Sequence, residues 1–219
     1  MRLDIFIIQP NKKEKKKFKF HQLIFKFYVM KKAALFITVL FFTTFLSAQT
    51  TWKADPMHSK LAFSTVHHGI SDIAGLFKIF EITATTKQTD FSDAVFNLST
   101  EVTSIDTEVE MRDNHLRSDE FFDVKQYPKM TFESSSIQKT GQNKYNLTGK
   151  LTLHGITKTV TVNMWYRGTI ENPQNKAITA GFQFTAVLKR SDFNIGPKFP
   201  APMISDEVMI KADCEFIKQ

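Results

Sequence analysis

Cysteine is almost absent from this 219-residue chain: Cys214 stands alone, which excludes an intramolecular disulfide and any CxxC redox or zinc motif. Set at alternating spacing in VMIKADCEFI, it reads as a small buried hydrophobe. Long hydrophobic runs are missing too. The longest, Ala33 to Leu46, has 14 residues, short of the roughly 20 that span a bilayer. No GxSxG elbow, no HExxH pair and no glycine-rich phosphate loop occurs, so the commonest hydrolase, zinc-protease and nucleotide signatures are excluded. A surplus of one charge sign is also lacking where it would matter. The formal net charge is +7, but 10 of the 29 Lys+Arg and 2 of the 22 Asp+Glu lie in residues 1–32. That leaves 19 basic against 20 acidic residues, a net charge of −1, over residues 49–219. A uniform basic face for phosphate backbones is therefore absent, and no nucleic-acid partner is expected.

What is present begins with a targeting pattern. From Met30, MKKAALFITVLFFTTFLSAQT has a positive head at Lys31 and Lys32, an apolar stretch to Leu46 and a small-residue cleavage site at Ser47-Ala48. Residues 30–48 read as a secretory signal peptide, and no cysteine follows to carry a lipid anchor. Residues 1–29, basic and without globular pattern, read as an upstream extension from a start codon placed too early. The remaining 49–219 suffice for one domain with a sizeable core, and a periplasmic or secreted location is expected.

Period-two alternation runs through most of that domain. Leu61, Phe63, Thr65 and His67 share one face. So do Ala94, Phe96, Leu98, Thr100 and Val102, then Val160 to Tyr166, Ile178 to Leu188 and Val208 to Phe216. Further strands are predicted at 76–86, 129–138 and 144–153, with turns at Asp90 to Asp93, Thr140 to Asn143, His154-Gly155 and Glu171 to Asn175. About eight antiparallel strands must close on themselves or stack, because long open edges aggregate. The prediction is an all-β antiparallel barrel. Of the 22 phenylalanines, 13 lie after residue 49; Phe63, Phe96, Phe182 and Phe184 fall on inward faces, as a solid core or the wall of an apolar tunnel.

One stretch breaks the alternation. RDNHLRSDEFFDVKQYPKMTF, residues 112–132, follows a segment in which Val109, Arg112 and His115 or Leu116 fall at helical spacing, with Asp106 as N-cap. The reading is one short helix, an aromatic elbow at Phe121-Phe122 and a turn at Tyr127-Pro128, serving as a lid or as filling for the barrel end. Asp113, Asp119, Glu120 and Asp123 read as solvated carboxylates pairing with Arg112 and Arg117. The histidines after residue 49 sit on separate elements without paired ligand spacing, so neither a metal site nor a cofactor is expected, although strands can bring distant ligands together. His67, continuing an inward face, reads either as a head-group donor or as a satisfied core polar group.

Four stretches carry a resemblance. ADPMHSKLAFSTVHHGISDIAGLF is similar to the DxxHSxxxFxxxHxGxSxxxGxF opening of the YceI-like family of polyisoprenoid-binding proteins. SIDTEVEMRDNHLRSDEFFDVKQYPKMTFESSSI resembles that family's SIDTxxxxRDxHLxSxDFFDxxxYPxxTFxSxxI segment almost position for position. GKLTLHGITKTVTV resembles GxLTxHGxTKxVxx, and KRSDFNI resembles the RSDFGx turn. Asn194 stands where the family usually carries glycine; asparagine tolerates the left-handed conformation, so the turn is expected to survive.

The resemblance implies a lipocalin-like barrel with an elongated apolar interior for a long-chain isoprenoid or other amphiphilic lipid, and no established catalytic residues. Phe63, Phe96, Leu98, Phe122, Phe132, Phe182 and Phe184 are then the expected apolar wall. His67, Arg112, His115 and Arg117 are the polar groups expected at a head group, and the 112–132 segment becomes the lid. Transient contact with a membrane surface is compatible with this, and the oligomeric state stays open between monomer and homodimer. Two alternatives remain: a lipid-modifying enzyme using His67 or His115, and a solid-cored interaction module of the stress response.

Overall fold

The computed structural model describes residues 11–42 and 49–219, in two compact units. In the first, Lys12–Phe42 forms helix α1, which carries the boundary expected at Met30 within it. Residues 1–10 and the expected cleavage site Ser47-Ala48 lie outside the described residues. No described helix is long and apolar enough to cross a membrane.

The second unit is built from β1 (Thr50–Ala54), β2 (Lys60–His67), β3 (Ser71–Phe77), β4 (Phe80–Thr86), β5 (Val95–Glu101) and β6 (Ile105–Asp106), then helix α2 (Glu110–Arg117). The chain returns through β7 (Lys129–Gly141), β8 (Lys144–Leu153), β9 (Ile156–Glu171), β10 (Ile178–Lys189) and β11 (Ile204–Lys218). All pairings are antiparallel. The order β1-β4-β5-β7-β8-β9-β10-β11 closes when β11 pairs back onto β1.

Eleven segments make an eight-stranded barrel because three positions in the ring are each filled by two short pieces. One edge of β11 pairs with β1 at residues 216–218 and with β2 at residues 204–213, so β1 and β2 are one strand interrupted at residues 55–59. β3 and β4, which pair with β2 and β1, are likewise one strand broken at Lys78-Ile79; β5 and β6 are separated by a 3-10 turn, Val102–Ser104. The single strand expected over 76–86 is thus two. Each break is pinned by hydrogen bonds: Asp55 N–H donates to Glu215 O at 2.8 Å, and Ile79 N–H to Ser104 Oγ at 3.0 Å.

The expected turns form for identifiable reasons. His154 and Gly155 both take left-handed backbone (φ 50° and 72°), which a two-residue hairpin between β8 and β9 requires. Gly155 is also needed for space, since a Cβ there would meet the Tyr127 ring at 2.5 Å. Asn194 is left-handed (φ 54°, ψ 37°) and ends the 3-10 turn Arg190–Phe193, as its tolerance of that region predicts.

Cys214 is buried on β11, and desolvation pushes its thiol up to about 12. Native protein at pH 8 is expected to resist an alkylating reagent and to take up one label per chain only on unfolding. Stoichiometric labelling under native conditions would show that this strand opens.

Candidate functional site

The barrel interior changes character along its length. At the end reached by the 86–94 loop, the phenylalanine rings pack solid. Phe182 lies 4.8 Å from Phe91, 5.1 Å from Phe216, 5.4 Å from Tyr166 and 5.6 Å from Phe96, ring centre to ring centre. Phe91, Phe182, Phe216 and Tyr145 are each 1% exposed or less, and the Tyr145 hydroxyl ties the loop down by donating to Asp90 O at 2.8 Å. This end is closed.

Beyond the plug the interior opens into a narrow throat of about 90 Å³, walled by Phe96, Leu98, Phe132, Leu147, Leu151 and Phe184 among others. Next to it lies a wide chamber of about 430 Å³, with Phe77, Met130, Leu188 and Ile210 lining both. The chamber falls within the roughly 300–1,000 Å³ of small-molecule sites. Its wall is apolar except at Thr65, Thr107, three histidines and two arginines.

Two segments cover the chamber. One is α2 with its elbow. Here the expected cap fails: Val109 occupies the N-cap without a side-chain bond, and the Asp106 carboxylate instead accepts from Glu108 N–H at 2.8 Å. The helix start is organised from inside, where buried Asp113 accepts from Thr107 N–H at 2.8 Å and from its hydroxyl. Arg112 then donates through Nε to Thr107 Oγ1 (2.7 Å) and through Nη2 to Thr107 O (2.6 Å). The other cover is the loop between Phe193 and β11. It meets the elbow where Phe121 stacks on Phe199, with centroids 4.8 Å apart. Beside that stack, Glu120 accepts from Lys198 (3.2 Å) and sits 2.8 Å from His115 Nε2; these partners hold its carboxyl below the usual range.

Of the residues singled out by sequence, Phe63, His67, Arg112, His115 and Phe122 come together around the wide chamber, and Phe96, Leu98, Phe132 and Phe184 around the throat. His67 stands at the mouth, its ring 4.0 Å from that of His68 in edge contact. Two residues fall elsewhere. Phe182 belongs to the plug, because rings crowd it from several sides and it lines neither the throat nor the chamber. Arg117 faces a separate outer hollow beside Asp106 and Glu110, donating to Thr103 O (2.9 Å) and Ile105 O (2.6 Å). The pairing of Arg112 and Arg117 with loop carboxylates is also replaced: both guanidinium groups donate to oxygens of Thr107, Thr103, Ile105 and Asn114.

Arg190 was not legible as a site residue. It is buried on the chamber wall, and all five of its N–H groups are directed at carbonyls: Ser205 (3.0 Å), Ile195 (2.9 Å), Gly196 (2.8 Å), Ile204 (3.0 Å) and Phe199. One side chain thereby shapes the whole covering loop. Its only sequence signal was the RSDF turn.

The sequence profile of the YceI-like domain matches residues 52–216. The chain belongs to the YceI-like domain family. Among YceI-like relatives, Protein YceI of Salmonella arizonae is 37% identical over 170 residues, covering 76% of this chain and 88% of the relative. The crystal structure of Burkholderia cenocepacia BcnA superposes with a TM-score of 0.65 at 31% identity, covering 74% of this chain and 98% of that one. A polyisoprenoid binding domain from Saccharophagus degradans, implicated in plant cell wall breakdown, shares the fold with a TM-score of 0.59 at 15% identity, covering 77% and 98%. The YceI-like motifs now have physical roles: SIDT and RD build the Thr107 knot, FFD the elbow, HG the β8–β9 turn, and RSDF the anchor of the covering loop.

Proposed function

We propose that this YceI-like barrel is a non-enzymatic binding protein for one long-chain isoprenoid or similar amphiphilic lipid, which it holds for transport, storage or sequestration. The observation that carries the reading is the apolar throat lying against a chamber with a polar edge, beyond a solid aromatic plug. An extended hydrocarbon needs depth and dryness more than directed bonds, and each CH₂ buried contributes about 0.8 kcal/mol. The tail then occupies the throat and the head group the chamber. The fold shared with a polyisoprenoid binding domain accords with this. Export to the periplasm or medium is the matching location, supported by the signal pattern from Met30. A lipid-modifying reaction through His67 or His115 has no specific observation in its favour.

Protein purified from its own host should release a long-chain amphiphile on organic extraction, identifiable by mass spectrometry, and the stripped barrel should gain thermal stability when such a lipid is restored. Absence of any extracted lipid, together with an unmoved melting temperature on addition, would overturn the reading. The intact mass of the same preparation should correspond to a chain starting near Gln49; retention of Ala33 would rule out cleavage.

A further inference from the structure

We propose that Phe91, in the loop between β4 and β5, is the stop that sets how long a tail the barrel accepts. The inference rests on the lipid-binding reading above and names the residue that makes it selective for chain length.

It starts from how the sealed end is sealed. The strands do not do it alone. Ala84 on β4 and Ala180 on β10 turn inward beside Trp52, Phe96 and Phe216 and are fully buried, yet each carries only a methyl group. A ring from outside the ladder completes the closure. Phe91 is 1% exposed and lies 5.2 Å from Trp52, 5.1 Å from Tyr166 and 4.8 Å from Phe182. Its backbone is left-handed (φ 60°), a conformation unfavourable for a bulky side chain and kept only where the surroundings impose it. Here they do. The Asp93 carboxylate accepts from the N–H groups of Lys87 and Gln88, each at 3.1 Å, and the Tyr145 hydroxyl donates to Asp90 O at 2.8 Å. A loop built only to join β4 to β5 has no use for a strained residue with its ring inside the barrel.

Phe91 is also the last ring of a short stack that begins at the throat. Phe96 and Phe184 wall the throat, and both lie against Phe182, at 5.6 Å and 5.9 Å; Phe182 in turn lies against Phe91. The other rings around Phe182, those of Phe96, Tyr166 and Phe216, stand on strands paired into the barrel. The loop side is therefore the direction in which Phe182 gives way. With the Phe91 ring removed, Phe182 swings toward the loop and the throat deepens.

The test measures the affinity of delipidated protein for geraniol, farnesol, geranylgeraniol and geranylfarnesol, by displacement of fluorescent cis-parinaric acid. While the tail is still entering the bore, each added CH₂ tightens binding about fourfold, so each isoprene unit should gain about tenfold or more. Once the tail meets the stop, the next unit should gain less than about twofold or lose affinity. The decisive quantity is the affinity ratio across that break, the first prenol beyond it against the last before it. Phe91→Ala should raise the ratio about tenfold, and Phe91→Leu should raise it by a smaller factor. A merely structural role weakens every prenol alike and leaves the ratio where it was. An unchanged ratio in both variants, or a series with no break in the unaltered protein, overturns the stop and leaves the lipid reading intact. Failure of the unaltered protein to bind any prenol or the probe overturns both. Should Phe91→Ala fail to fold, Phe91→Leu decides on the same ratio.

Discussion

Phe182→Ala is expected to destabilise the ligand-free barrel by about 3–5 kcal/mol, the cost of emptying a phenylalanine site in a solid core. The figure follows from the plug, where Phe91, Phe96, Tyr166 and Phe216 surround the ring and none can move in without leaving its own partners. Phe184, two residues along the same strand, gives the contrast. It touches Phe96 and Phe182 on one side and borders the throat on the other, so truncation forfeits fewer contacts. Phe184→Ala should shift the urea midpoint clearly less, with an unchanged denaturant slope, and should weaken a long-tailed ligand. Equal shifts for the two variants would mean that the throat is packed like the plug.

Arg190→Met should cost about 3 kcal/mol or more, despite adding no bulk and removing no apolar contact. Each of the carbonyls of Ile195, Gly196, Phe199, Ile204 and Ser205 loses a charged donor at once, and a buried acceptor left unpaired is expensive. Arg190→Lys is expected to recover little, because an ammonium cannot reproduce a planar fork that reaches several carbonyls. The loss should also be local before it is global. Amide exchange over residues 195–205 should accelerate in either variant while the β7–β8 hairpin stays protected. Uniform acceleration across the barrel would show that Arg190 supports the whole fold and not the covering loop in particular.

Alternation made the long strands legible because one face of each meets the interior and the other meets water, and a period of two survives any detail of packing. The break at Lys78-Ile79 was written in the same code. Inward residues are odd-numbered up to Phe77 and even-numbered from Ile82, a change of phase that one continuous strand cannot make. β1 escaped because five residues with only Trp52 and Ala54 turned inward give too short a pattern next to a leader. Polar side chains were harder to read than apolar ones. Asp106 and Asp113 both suit a helix start by composition, and only the position of Thr107 decides which is used. The phenylalanines likewise share one alternating face whether they fill the barrel or line it. Rings from other strands reach both Phe182 and Phe184; they differ in that Phe91 from the 86–94 loop packs onto Phe182 while Phe184 borders the throat, and that is a property of the folded molecule.

The aromatic plug has a consequence for traffic. A bore sealed at one end has a single portal, so under the proposed function a tail that enters first leaves last and the head group keeps its place in the chamber. Loading and unloading must then occur at the same face of the protein, at different moments. If the proposed lipid binding serves transport, a barrel of this design cannot stand as a bridge through which molecules thread from donor to acceptor; it would have to detach from one before serving the other, one molecule per trip.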